Sequence, residues 1–185
     1  MATTLSTTRT LPSVRTQALA TAAAVVGAVA IPQIFHVVGA VSGLGTGLGE
    51  AFLPMHLPIL LVGLLAGPYA GAVAGALGPL ASFALSGMPG AAMVPFMVVE
   101  LASYGLFAGL LRGTSMPTIG KVLLAQIGGR LVRAVAILVG VYAFGSTVAV
   151  ATIWTSIAAG LPGLILQWGL VPLIMFWVNH RSAKE

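Results

Sequence analysis

From residue 16 to residue 178 the sequence is a succession of apolar runs of helical length, separated by short connectors rich in glycine, proline and serine. In hydrocarbon every backbone N–H and C=O must find a partner within the protein, so only helices and closed barrels can span it. The runs show no apolar–polar alternation, which argues against a barrel and for helices. Charged residues make up 6% of the chain and hydrophobic residues 58%. Soluble domains carry about 25% charged residues, so a water-soluble fold of this size could not hide so much apolar surface. The reading is an all-α membrane protein: a bundle of six transmembrane helices.

The spans fall at about 16–38, 52–66, 68–85, 91–111 and 119–144, with a sixth that ends near 178 and starts between 148 and 155. Residues 1–15, Ser/Thr-rich with Arg9 and Arg15, are expected to be a disordered cytoplasmic segment, and 179–185 a cytoplasmic tail. "AVA" at 28–30 imitates a signal-peptide cleavage site, but the apolar stretch continues past it, so the first span reads as retained. Gly67-Pro68 leaves room only for a tight turn, which makes a hairpin of spans two and three. The Gly-rich stretch "GAVSGLGTGLGE" is expected to belong to a loop, 39–53, that caps a pocket. Pro162 and Pro172 are expected to kink span six.

Charge sets the orientation. With six spans, Arg9, Arg15, Arg112, Lys121, Arg181 and Lys184 share one side, and the opposite loops hold Glu50 and neither lysine nor arginine. Basic residues concentrate on the cytoplasmic side, so both termini are expected there. The same pattern accounts for the net charge of +5 without a nucleic-acid partner. Catalytic chemistry is thinly supplied. The chain has no cysteine, three acids and three widely separated histidines, and it lacks H-E-x-x-H, G-x-S-x-G and P-loop motifs. Neither an enzyme nor a metal site nor a cofactor is expected.

Binding is better provided for. Gln33, His36, Glu50, His56 and Trp154 gather at the outer ends of the spans. Pro54 and Pro58 interrupt the start of span two, and freed backbone is tolerated in a membrane only where protein or a water-filled cavity satisfies it. An outward-facing pocket follows, with His56 and Arg133 as ligand contacts and Gln167 and Trp168 as further contributors. His56 could equally be an interfacial histidine bonded to a freed carbonyl. Glu100 and Arg130 each lie about 13 Å along antiparallel consecutive spans, and so at one depth. A lone charge there costs about 2.5–3.5 kcal/mol, which favours a structural ion pair over direct ligand contact. The guanidiniums of Arg130 and Arg133 would suit a carboxylate such as pantothenate or nicotinate, and Trp154 or Trp168 could stack on a ring. Gly71, Gly75 and Gly78 suit close packing within the bundle. Ala18/Ala22 and Ala20/Ala24 form overlapping A-x-x-x-A pairs that could dock another protein.

"LPMHLPILLVGLLAGPYAGAVAG", "SGMPGAAMVPFMVVELASYGLFAGLL", "IGGRLVRAVAILVG" and "GLPGLILQWGLVPLIM", in that order, resemble the helices of substrate-binding S components of energy-coupling factor (ECF) transporters. The resemblance implies a subunit of the bacterial cell membrane that captures a vitamin or vitamin precursor from outside. It would deliver its cargo inward with a transmembrane coupling subunit and a pair of ATPase subunits. Small-residue faces on the first helix make the docking contact in that family, and Ala18, Ala20, Ala22 and Ala24 are the matching positions. Arg133 departs from the family pattern, which has an arginine at the Arg130 position but an apolar or aromatic residue three positions on. Two other readings stand beside it: a solitary proton-coupled carrier, for which Glu100 supplies an intramembrane carboxylate, and a non-transporting membrane scaffold.

Overall fold

The structure, a computed structural model, describes residues 10–182. Arg9, Lys184 and most of the N-terminal segment expected to be disordered lie outside the described residues. The elements are α1 (Val14–Val41), α2 (Gly47–Phe52), α3 (His56–Ala66), α4 (Pro68–Ser86), α5 (Val94–Leu111), α6 (Thr118–Phe144), α7 (Thr152–Ala159) and α8 (Leu161–Ser182). Six segments among the described residues are long and apolar enough to cross a membrane, with α2 and α3 together forming one of them.

The first helix starts at Val14 because Ser13 caps it, its Oγ accepting the Thr16 N–H at 3.2 Å. The chain before it is tied down as well: Gln17 Nε2 donates to the Pro12 carbonyl at 2.9 Å, and Arg112 Nη1 to the Thr10 carbonyl at 3.4 Å. At the other terminus α8 continues to Ser182, four residues beyond the expected limit of 178.

Small residues decide which helices meet closely. A Cβ added to Gly71 of α4 would overlap the backbone of Gly105 of α5, and one on Gly105 would overlap Gly71. Gly75 stands in the same relation to the Leu101 backbone, and a Cβ added to Gly78 would come within 3.2 Å of the Ala28 methyl of α1. Lipid is as apolar as leucine, so close backbone approach and dispersion, rather than hydrophobicity, hold helices together in it. α6 shows the resulting division of faces. Val122, Ala125, Gln126, Gly129, Arg133 and Ile137 are buried, while Leu124, Ile127, Leu131, Val135 and Leu138 are exposed. Its polar residues point inward and its leucines outward, the reverse of a soluble helix and the arrangement that lipid favours.

Two spans are broken. α3 has 11 residues, about 16 Å of helix against a hydrocarbon core of about 30 Å. The rest of that span is α2, reached through Leu53, whose backbone is left-handed at φ 48°. The expected capping loop, 39–53, therefore contains a helix. Pro54 lies in the break, and Pro58 lies in the first turn of α3, where the missing N–H has no helical partner to lose. The sixth span is split the same way, into α7 and α8, at Gly160. Pro162 sits in the first turn of α8 and so marks this break instead of kinking a continuous helix; Pro172 does lie inside α8.

Six traverses place the chain ends, the Gly67 turn and the connector after α5 at one end of the bundle, the terminal end. Arg15, Arg112, Lys121 and Arg181 all lie there, with Arg112 Nη2 donating to the Leu65 carbonyl at 3.2 Å and Lys121 Nζ to the Arg112 carbonyl at 2.9 Å. The opposite, loop end is built from α2, residues 87–93 and α7.

Candidate ligand site

α6 carries Gln126, Arg130 and Arg133 at i, i+4 and i+7, which stacks them on one helical stripe facing the bundle. Each end of the stripe organises a different polar cluster.

The upper cluster, nearer the loop end, centres on Glu100 of α5, which is 1% exposed. Arg133 Nη1 lies 3.1 Å from its Oε2, and Arg130 Nε lies 3.4 Å from its Oε1. The Tyr104 hydroxyl donates to Oε1 at 3.3 Å, and His56 Nε2 stands 3.9 Å from the same oxygen. The two opposite charges expected at one depth thus meet, and Arg133 turns the pair into a triad. Ser156 of α7 accepts from both guanidiniums, at 3.3 Å from Arg130 Nη1 and 3.1 Å from Arg133 Nη1. The cluster is under-satisfied: Arg130 Nη2, Arg133 Nε and both ring nitrogens of His56 are buried without a hydrogen-bond partner. His56 consequently bonds no freed carbonyl; its ring packs edge-on against Tyr104, with centroids 5.1 Å apart.

This cluster forms the floor of a cavity of about 440 Å³ at the loop end. Ligand sites commonly measure about 300–1,000 Å³ and combine apolar walls with a few polar groups. Glu100, Arg133, His56 and Ser156 line it, whereas Arg130 stands behind Arg133 and does not. Met55, Met88, Met93 and Met97 form much of the wall. Thr46, Gly49 and Glu50, on or beside α2, and Thr152 and Thr155 of α7 edge it, so the two broken spans supply its rim. His36 also lines it, while Trp154 is exposed and does not.

The lower cluster contains no charge. Gln126 Nε2 donates to Gln167 Oε1 at 2.9 Å, Trp168 Nε1 donates to Gln126 Oε1 at 2.7 Å, and Gln167 Nε2 reaches the Leu53 carbonyl at 3.3 Å. Gln167 and Trp168 therefore spend their polar atoms on each other's neighbours and lie outside the main cavity; Gln167 instead edges a second, apolar space of about 130 Å³. Four features of the site escaped sequence reasoning: Gln126, Ser156, the two threonines of α7 and the methionine wall. Gln126 had a signal in the sequence, its i, i+4, i+7 alignment with two arginines on an otherwise apolar helix.

The four α1 alanines separate by face. Ala24 is buried and Ala20 half-buried against the core, while Ala18 and Ala22 are exposed.

A six-span helical bundle with a polar-floored cavity of ligand size defines a membrane solute-binding protein. The family model for the substrate-specific component of ECF transporters matches residues 13–175, and the chain belongs to that family. It is accordingly a multi-pass membrane protein and a transporter's substrate-binding subunit, a role that associates with a transmembrane and ATPase module. Neither a curated protein nor a solved structure matches the chain significantly.

Proposed function

We propose that this subunit captures a vitamin or vitamin precursor from outside the bacterial cell membrane and hands it inward through an ATP-driven module of a coupling subunit and a pair of ATPase subunits. The observation that carries the reading is the cavity: it opens at the loop end and its floor presents buried donors that nothing in the protein satisfies. Buried polar groups are ordinarily paired, so donors left over beside a cavity favour a ligand as their partner. His56 and Arg133 are the ligand contacts; Glu100 holds Arg133 in place, and Arg130 shares that carboxylate as its structural partner. Gln167 and Trp168 act by supporting the floor from below.

The orientation follows from charge. Arg15, Arg112, Lys121 and Arg181 at the terminal end favour a cytoplasmic location for both termini, and the cavity then faces outward. A cysteine at Ser42 should react with a membrane-impermeant reagent in intact cells, and one at Ser182 should not. The reverse pattern would overturn the topology.

Docking of the coupling subunit is assigned to the exposed members of the alanine set, Ala18 and Ala22, with Ala20 and Ala24 serving the internal contact. Ala22→Leu should abolish uptake and leave ligand affinity unchanged. Native mass spectrometry of the detergent-purified protein should find a co-purified, vitamin-sized molecule. Uptake by this chain alone in liposomes, without ATPase subunits, would defeat the reading and promote a solitary carrier driven through Glu100.

A further inference from the structure

The charge of the ligand can be argued from the floor of the cavity, on the premise that the cavity is a binding site. Two guanidiniums face one carboxylate there, at 3.4 Å and 3.1 Å. Glu100 cancels one positive charge at most. His56 adds none of the opposite sign, and Tyr104 and Ser156 contribute neutral hydroxyls. The other described acid, Glu50 of α2, lines the cavity only at its exposed rim, away from the buried floor, and accepts from Thr46 Oγ1 at 3.3 Å. The buried cluster therefore holds an excess of one positive charge, deep in a bundle whose outer surface is hydrocarbon. An uncompensated charge in such a place is expensive, and lipid cannot offset it.

The unused donors sit on the same groups. Arg133 Nε and Arg130 Nη2 are buried and lack a hydrogen-bond partner. Of the two, only Arg133 lines the cavity. Above it the wall includes the thioethers of Met55, Met93 and Met97 and the ring of Pro32, which suit an uncharged body, while Glu50, His36 and the threonines of α7 stand at the rim. We propose that the cavity takes a small organic monoanion, a carboxylate on an otherwise uncharged skeleton, with Arg133 as the residue that contacts the charge. Charge-assisted bonds from a guanidinium to a carboxylate are among the strongest available to a protein. One excess charge calls for a carboxylate and disfavours a phosphate ester, whose second negative charge would go unmatched.

The full-length protein, purified in detergent and stripped of co-purified ligand, is offered an equimolar pool containing matched pairs. Nicotinate is paired with nicotinamide and pantothenate with panthenol; thiamine, riboflavin and pyridoxal 5′-phosphate represent cations, neutral molecules and phosphate esters. Native mass spectrometry reads what is retained. The expected result is retention of a carboxylate, with its neutral partner bound at least ~100-fold more weakly by calorimetry. Arg133→Gln should remove the preference for the acid over its neutral partner, the acid losing far more affinity than the neutral compound. If that variant does not fold, Arg133→Lys keeps the charge without the fork and should show an intermediate affinity for the acid. Retention of a neutral, cationic or phosphorylated compound in preference to the acids would overturn the charge assignment and leave the binding-subunit reading standing. Equal affinity within a pair, or an unaltered preference in the Arg133 variants, would overturn it too. Retention of nothing at millimolar concentration would sink both.

Discussion

Two polar clusters hang from one stripe of α6, and they are built on opposite terms. Around Glu100 the groups are charged, over-supplied with donors and open to a cavity. Around Gln126 the groups are neutral, their amide and indole N–H groups are matched to carbonyls, and the nearest open space is small and apolar. A membrane interior penalises both kinds of group, so both must be held by partners from other helices. Only the first leaves something over. The contrast sets groups matched within the fold beside groups whose donors are left over, and it does so within a few turns of one helix.

The largest test removes the counter-charge. Glu100→Gln leaves two guanidiniums without a carboxylate and should cost about 3–5 kcal/mol, seen as a collapse of folded yield and melting temperature in detergent. Arg130→Met should cost much less, because Glu100 keeps Arg133. The double variant should recover a substantial part of the loss. Equal losses from the two single changes would mean that the triad behaves as a simple pair. If both singles keep wild-type stability and lose ligand binding, Glu100 and Arg130 belong to the site.

The neutral cluster should respond differently. Gln126→Leu strands the Trp168 indole N–H and the Gln167 carbonyl, and should cost about 1–2 kcal/mol of stability with ligand affinity unchanged. Loss of binding at full stability would erase the distinction between the clusters and return Gln167 and Trp168 to the ligand site. The smallest effect is expected at Ser156, which accepts from both arginines. Ser156→Ala should cost about 0.6 kcal/mol. Its sharper readout is affinity: with that acceptor gone Arg133 is less well oriented, and a measurable drop in binding should accompany the small drop in melting temperature.

What was legible in the sequence follows from what kind of physics each feature obeys. The number of spans and the hairpin at Gly67-Pro68 depend on composition and on one turn, both local. That Glu100 and Arg130 lie at one depth follows from rise per residue along antiparallel helices, and that they turn toward each other follows from the cost of leaving either charge in lipid. The breaks were half legible: Pro54 and Pro58 flagged span two, yet nothing local told that residues 47–52 would coil into a helix of their own. In span six, Pro162 pointed to an interruption, but a proline in a first turn and a proline in a kink look alike in sequence. The rotation of α8 was not legible at all. Gln167 and Trp168 could have faced the cavity, and only the position of Gln126 across the bundle decides that they do not. The same uncertainty attached to α1, where two interleaved alanine pairs looked equivalent until packing buried one member of the set and exposed others.

Leu53 joins the two broken spans that rim the site. Among the described residues it is the only non-glycine with positive φ, a conformation that costs a residue with a side chain about 1–2 kcal/mol. Its carbonyl accepts both the His56 backbone N–H at 3.1 Å and the Gln167 amide at 3.3 Å, and its side chain presses against Gly160, where α7 gives way to α8. The joint between α2 and α3 is therefore tied to α8 through the Gln167 amide and packed against the break of the sixth span. The two interruptions that form the rim are thus fastened to each other at one residue, so the second and sixth spans are broken in register rather than independently.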